Sequence, residues 1–64
     1  MKYLIYQLAN PSLVVKYIDT NGVAVLTTNE NEAMQFDSED EASSVADTIG
    51  GSNFWGTRPV RHGH

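Results

Sequence analysis

Two histidines near the end of this 64-residue chain are its only candidates for metal ligation by nitrogen. His62 and His64 could bind zinc, copper or nickel through their imidazoles. An i, i+2 spacing in a terminal segment is weak evidence for a metal site, and solvated histidines beside Arg61 are the favoured interpretation. We therefore expect no metal and no other cofactor.

Nucleophilic catalysis needs a serine, threonine or cysteine beside an oriented base. The chain has no cysteine, and both histidines lie within three residues of its end. A base placed there could not be held within the tolerance of about half an ångström that catalysis needs. General acid catalysis would need a carboxyl group whose pKa is raised by burial. The positive end of a helix dipole has the opposite effect, because it stabilises the negative charge of exposed acids at the start of the helix. We predict that the protein is not an enzyme and has no catalytic residue.

Acidic residues dominate the middle of the chain. The net charge is −4, and seven of the eight acids lie between positions 30 and 47 with no base among them. This pattern disfavours direct nucleic-acid binding, which depends on Lys and Arg displacing counterions, and it favours a partner with a basic surface. A plain solvated helix face is the competing interpretation. The predicted partner-binding acids are Glu30, Glu32, Asp37, Glu39, Asp40, Glu41 and Asp47.

The stretch NFWGTRPV, residues 53 to 60, carries the residue types that are enriched at interface hot spots. So small a domain cannot easily bury both Phe54 and Trp55, which alternate across a strand, so one of them is expected at the surface. In one interpretation Phe54 and Val60 enter the core while Trp55 covers the outer face of a hairpin. In the other, Trp55 or Arg58 anchors a partner, and we add these two to the predicted binding residues.

Turn residues and apolar periodicity place these side chains on one small domain, predicted over residues 1–61 with 62–64 as a flexible tail. Residues 3–8 form a first strand. The pair Asn21-Gly22 is typical of a tight hairpin turn with a two- or four-residue loop within residues 13–28. Because Lys16 and Thr27 mark one hairpin face as wetter, the opposite face is predicted to be buried; it carries Leu13, Val15, Tyr17, Ala24 and Leu26.

A helix follows, with Ser38 as its N-cap, Glu41 completing a capping box and Gly50 as its C-cap. Its buried stripe has i, i+3, i+4, i+7 spacing and consists of Ala42, Val45, Ala46 and Ile49. Pro59 confines the last strand to a sheet edge or ends it. We predict an α+β fold (βββαβ): a three-stranded antiparallel meander, one helix packed on the sheet, and a C-terminal fourth strand of unassigned neighbour.

The N-terminal segment MKYLIYQLANP is typical of a strand, because Tyr3, Tyr6 and Gln7 interrupt its apolar run and no cleavage site follows. No stretch approaches the roughly 20 apolar residues that cross a bilayer. We expect a cytoplasmic protein without a membrane partner.

The stretch NENEAMQFDSEDEASSVADTIGG, residues 29–51, is followed by a strand ending in TRPV. This arrangement resembles short accessory or early proteins encoded by tailed bacteriophages, over about half the chain. The shared helix opening, A-x-x-F-[DS]-x-x-E-A, is carried here by Ala33, Phe36, Asp37, Ser38, Glu41 and Ala42. The resemblance implies a protein of the kind that inhibits host enzymes by binding them in the host cytoplasm, and it assigns no functional residue.

We therefore predict a small non-catalytic acidic protein-binding module, an inhibitor or modulator that docks on a basic surface of a host protein such as a nucleic-acid-handling enzyme. The acids would steer the approach, and Trp55 or Arg58 would anchor the complex. The alternative is a self-associating structural protein that forms a homodimer through a sheet edge or an exposed sheet face. That dimer would bury Ile18, Val23, Val25 and Trp55.

Overall fold

The computed structural model describes residues 1–60, which form a four-stranded antiparallel sheet and one α-helix. The elements are β1 (Tyr3–Gln7), β2 (Val14–Ile18), β3 (Ala24–Thr27), α1 (Glu39–Asp47) and β4 (Trp55–Pro59). Helix α1 packs against strands β1 and β4, and 3₁₀ turns lie at Glu30–Glu32 and Gly51–Asn53. The predicted α+β fold is confirmed, and the unassigned neighbour of β4 is β1, in the sheet order β3-β2-β1-β4.

Helix α1 begins and packs as its sequence predicts. The Ser38 hydroxyl accepts a hydrogen bond from the backbone N–H of Glu41 at 3.2 Å, which satisfies one of the open donors of the first turn. The C-cap of the helix lies two residues before the predicted one, because Thr48 and not Gly50 caps it. Gly50 takes a φ of 132°, a value that side-chain-bearing residues rarely adopt, and turns the chain after the helix. The apolar stripe faces the sheet, with Ala42 and Ala46 buried and Val45 and Ile49 packed against the same cluster.

The sheet carries apolar residues on both faces, because successive strand residues point to opposite sides. Under α1 lie Ile5 and Val15, and on the opposite face lie Leu4 and Val14; all four are fully buried. Ala33 completes the cluster opposite α1, whereas Phe36 joins the cluster beneath it. The segment between β3 and α1 therefore contributes to both clusters and makes a two-sided core out of a single small sheet.

The hairpin differs from its prediction in both loop and register. Five residues connect the strands, since Ile18 pairs with Ala24. Within this loop the Asp19 carboxylate accepts hydrogen bonds from Asn21 N–H at 2.8 Å and Val23 N–H at 3.0 Å. Compared with the predicted loop of two or four residues, a loop with an odd number of residues turns the side chains of one strand to the opposite face of the hairpin.

A register shift between Val15 and Tyr17 exchanges the two hairpin faces again. Residues on the far side of this shift from the loop therefore return to their predicted face. Val15, Ala24 and Leu26 accordingly pack beneath α1 as expected, and Ile18 joins them. The prediction that Tyr17 is buried is wrong, because this side chain is 49% exposed.

Gly56 in β4 makes room for the side chain of Tyr6, its cross-strand partner in β1. A Cβ atom at position 56 would lie 2.5 Å from Cζ of the Tyr6 ring, well inside contact distance. The ring in turn lies against the Arg58 guanidinium, whose Cζ is 5.0 Å from the ring centroid. Glycine at this position thus leaves room for the Tyr6 ring to lie over β4.

We expect Gly56→Ala to lower the free energy of unfolding by about 1–3 kcal/mol, because the added methyl group displaces the Tyr6 ring. In a Tyr6→Ala background the same substitution should cost clearly less, since the clash is absent. Urea denaturation of the four proteins of this cycle measures the difference.

Gly22→Ala is the control for the cycle. No atom lies within 4 Å of its added Cβ, and its cost comes only from a φ of 79°. That cost should be the same with and without Tyr6. An equal cost of Gly56→Ala in both backgrounds would contradict the packing described above.

Candidate functional site

Arg58 lies on the sheet face opposite α1, where its side chain is fully engaged within the protein. Its Nη2 donates to Glu30 Oε2 at 2.7 Å, its Nη1 donates to the Pro11 carbonyl at 3.2 Å, and its guanidinium lies against the Tyr6 ring. The Arg58 and Glu30 side chains are only 26% and 28% exposed. The structure therefore pairs two of the predicted binding residues with each other.

The two other ion pairs formed within residues 1–60 also involve predicted acids. Lys2 pairs with Asp37, and Lys16 Nζ lies 3.8 Å from Glu32 Oε1, which accepts a further hydrogen bond from Thr27 Oγ1 at 3.1 Å. The hydrogen bond from Lys2, and then its charge, lowers the pKa of Asp37 below its ordinary value. The same bond and the charge of Asp37, with a smaller contribution from Glu41, raise the pKa of Lys2.

The seven predicted acids therefore divide into two groups. Three of them, in the loop between β3 and α1, contact Lys2, Lys16 or Arg58. The other four project from α1 into solvent, and no base among residues 1–60 forms an ion pair with them. We call this second group the acidic face of α1; it consists of Glu39, Asp40, Glu41 and Asp47.

Trp55 packs inward, and Phe54 is the aromatic residue that reaches solvent. The indole joins the cluster beneath α1, and its Nε1 donates a hydrogen bond to the Ile49 carbonyl at 2.9 Å. Phe54 is 61% exposed, whereas Val60 is buried. Placing Phe54 in the core is thus wrong, and Trp55 lies on the helix side of the sheet. Its predicted role as a partner anchor stays a prediction.

An apolar cleft opens where the end of α1 meets the end of the β1–β4 pair. Its volume is about 310 Å³, and the exposed side chains of Leu8 and Phe54 take part in its lining. The Leu8 N–H donates to the Phe54 carbonyl at 3.0 Å, which fixes these two residues relative to each other. The apolar cleft is lined by Gln7, Leu8, Ala9, Ile49, Asn53, Phe54 and Trp55.

A second, smaller cleft of about 220 Å³ separates α1 from β4, and we call it the edge cleft. Trp55 lines both clefts, and among residues 1–60 Asp47 is the only charged residue that lines the edge cleft. Sequence reasoning missed both clefts, because each forms only when α1 is laid across β4. The edge cleft is lined by Ser43, Ala46, Asp47, Ser52, Trp55, Gly56 and Thr57.

Residues 1–60 contain no group of three or more His, Cys, Asp and Glu side chains able to hold a metal ion. His62 and His64, together with the predicted tail 62–64, lie outside the described residues. No helix within the described range has the length and apolar character needed to cross a membrane.

Comparisons of this chain with known protein families, with characterised proteins and with solved structures found no match. The resemblance to short phage proteins stays a prediction. A function must therefore be argued from the acidic face of α1, the two clefts and the neighbouring sheet edge.

Removal of the Lys2 charge should raise the pKa of Asp37 toward its ordinary value of 3.8. The reason is that the lowered pKa depends on the hydrogen bond and charge that Lys2 supplies. A carboxyl-carbon NMR titration of Lys2→Met measures this shift. Lys16→Met, which removes the same charge from the other exposed pair, should leave the pKa of Asp37 unaltered.

The pair also makes stability depend on pH. Because the pKa of Asp37 is lowered on folding, its contribution is present above pH 3.8 and is lost as the pH falls through the folded pKa. The pKa of Lys2 is raised, so its contribution is present below pH 10.5 and is lost as the pH rises through the folded pKa. An Asp37 pKa that stays low in Lys2→Met would contradict this pairing.

Proposed function

We propose that this chain is a non-catalytic protein-binding module that docks on a basic surface of a partner protein through α1. One observation carries the proposal. The three bases among residues 1–60 are paired with acids of the β3–α1 loop, so no ion pair within that part of the chain neutralises the acidic face of α1. Glu39, Asp40, Glu41 and Asp47 are the residues that would meet the partner's lysines and arginines.

Exposed charge of this kind mainly affects the rate at which two proteins associate. Exposed acids facing a basic surface accelerate encounter and exclude partners of the wrong sign, but each exposed pair adds little affinity. Glu39, Asp40 and Glu41 lie in the first turn of α1, where the positive end of the helix dipole attracts negative charge. Their field repels phosphate groups, which supports a protein partner rather than a nucleic acid.

The apolar cleft supplies the second component that a stable interface needs. Interfaces combine an apolar anchor with a charged rim, and aromatic residues dominate the anchor. Phe54 and Leu8 are the exposed apolar side chains at this cleft, and Ile49 extends it toward α1. Phe54 thereby takes the anchoring role that the sequence assigns to Trp55 or Arg58, since Trp55 is half-buried and Arg58 lies on the opposite sheet face.

The resemblance to phage accessory proteins directs this proposal to a host protein in the cytoplasm. A nucleic-acid-handling enzyme presents lysines and arginines in a groove that normally receives phosphates. An acidic helix could occupy that groove and block it, which would make the module an inhibitor or modulator.

Two doubly neutralised variants of equal net charge test the proposal. Asp40→Asn with Asp47→Asn should slow association with the partner by about threefold to tenfold at low salt, because the steering charge is reduced. Glu32→Gln with Asp37→Asn should leave the rate nearly unaltered, because those acids are already paired. The partner is captured from host lysate on the immobilised chain, and its association rate is then measured at low and high salt.

The two variants separate specific steering from net charge. Equal slowing by both pairs would mean that only the total charge matters. A captured partner whose association rate responds neither to salt nor to the α1 pair would contradict the proposal.

Self-association is the second candidate, and the exposure of Val23 and Tyr17 near the β3 edge favours it. Val23 is 58% exposed and Tyr17 is 49% exposed. Of the residues predicted to enter a dimer, Ile18 and Trp55 instead pack on this chain's own core.

Sedimentation velocity at micromolar concentration tests self-association. A dimer formed at the β3 edge should dissociate in Val23→Lys, which places a charge at the contact. A control substitution at the far side of the molecule, Ser44→Lys, should leave it intact. A wild-type chain that sediments as a monomer contradicts this second candidate.

A further inference from the structure

We propose that an extended basic segment of the partner adds to the open edge of β4 as a fifth strand. The inference rests on the proposed function, because it states where on the module the partner binds and in which conformation. It joins three observations: an unpaired strand edge, the edge cleft beside it, and the charge of Asp47 in that cleft.

The backbone of β4 offers hydrogen-bonding groups on its outer side. In the β1–β4 pair, Val60 N–H donates to the Lys2 carbonyl at 2.8 Å and Leu8 N–H donates to the Phe54 carbonyl at 3.0 Å. Hydrogen-bonded and non-bonded residues alternate between these two ends of an antiparallel pair. Trp55 and Thr57 are therefore the residues whose N–H and C=O point away from β1.

No strand from residues 1–60 covers this edge, since β4 stands last in the sheet order. Natural edge strands are commonly protected by lysine, proline or a bulge. In β4 only Pro59, at its C-terminal end, has this effect, and the Arg58 side chain is held on the other face by Glu30. Trp55 and Thr57 are left as a short, regular template for a peptide strand.

The edge cleft gives the side chains of an added strand a place to pack. Alternate residues of such a strand would point toward α1 and enter the cleft between Ser43 and Thr57, with the Trp55 ring at one end. Main-chain bonding to a sheet edge, with alternate side chains in an adjoining cleft, is a recurrent mode of peptide recognition.

Charge selects a basic occupant for this cleft. Of the described residues, Asp47 is the only charged one that lines the cleft. It is exposed, and no base in that part of the chain forms an ion pair with it. The last turn of α1 also contains no basic residue, so the negative end of the helix dipole lacks a counter-charge there. A lysine or arginine entering the cleft would meet both.

A second copy of the chain fits this edge poorly. Two β4 strands paired antiparallel in one continuous sheet would place both α1 helices on the same face, side by side. The acidic faces of α1 would then approach each other and repel. Nucleic acid is disfavoured by the same charge, whereas an extended basic peptide gains attraction from it.

The test uses a short blocked peptide of alternating lysine and valine, with a glutamate–valine peptide as its control. In a ¹⁵N NMR titration of the full chain, the lysine peptide should shift the amide resonances of Trp55 and Thr57 and slow their exchange with solvent. The glutamate peptide should leave them unchanged at the same concentration.

Two variants at one position separate backbone pairing from side-chain contact. Thr57→Pro removes an outward N–H, at an edge position where proline is tolerated, and should weaken peptide binding about threefold to tenfold. Thr57→Val retains that N–H and should bind the peptide nearly as the unmodified chain does. Asp47→Lys leaves the backbone intact and should reverse the preference from the lysine to the glutamate peptide, so the test stands even if Thr57→Pro does not fold.

Failure of this inference is distinct from failure of the proposed function. If the lysine peptide shifts only resonances of α1, or shifts none, the strand addition is overturned. It is also overturned if a captured partner binds Thr57→Pro and Thr57→Val equally well. In each case a partner whose association still depends on salt and on the α1 acids would leave the proposed function intact.

Discussion

The pairing of β4 with β1 is the interaction on which the other features of this structure depend. It joins residues about fifty positions apart, from Tyr3 opposite Pro59 to Gln7 opposite Trp55. It makes β1 an inner strand whose Leu4 and Ile5 are buried on opposite faces. It also gives α1 a surface to cover, brings the Trp55 indole to the Ile49 carbonyl, and creates the edge cleft. Without this pairing the chain would have no cleft and a one-sided core.

The three described bases determine where negative charge remains, even though their ion pairs contribute little to stability. Water and salt screen exposed ion pairs, and holding two long side chains together costs entropy. Their larger effect here is spatial, because Lys2, Lys16 and Arg58 each contact an acid of the segment between β3 and α1. That segment is consequently close to neutral, while the helix that follows it is not. A run of acids that looks uniform in the sequence is divided by the fold into a paired half and a solvated half.

Local signals predicted much of this fold, and the missed features depend on contacts between distant residues. Ser38 and Gly50 mark the end regions of α1 through backbone effects that operate within one turn. The hairpin register was missed because the shift near Lys16 depends on the segment before α1, whose Met34 N–H donates to the Val15 carbonyl at 3.0 Å. Alternation predicted that either Phe54 or Trp55 would be exposed. Which one is exposed depends on a carbonyl at the end of α1 that accepts the indole N–H.

The acidic face of α1 affects which segments can pair with the open edge of β4. An uncovered strand edge exposes a protein to pairing with copies of itself, and most proteins protect such an edge directly. Here α1 lies beside the edge and carries Asp47 into the adjoining cleft. At this edge like charges would repel a second copy, and under the proposal the same charge attracts a basic strand. One arrangement thus disfavours pairing of two copies through β4 while it leaves that edge available. In the proposed complex, the outward backbone groups of Trp55 and Thr57 set the conformation of the bound segment, and the charge on α1 selects a basic sequence.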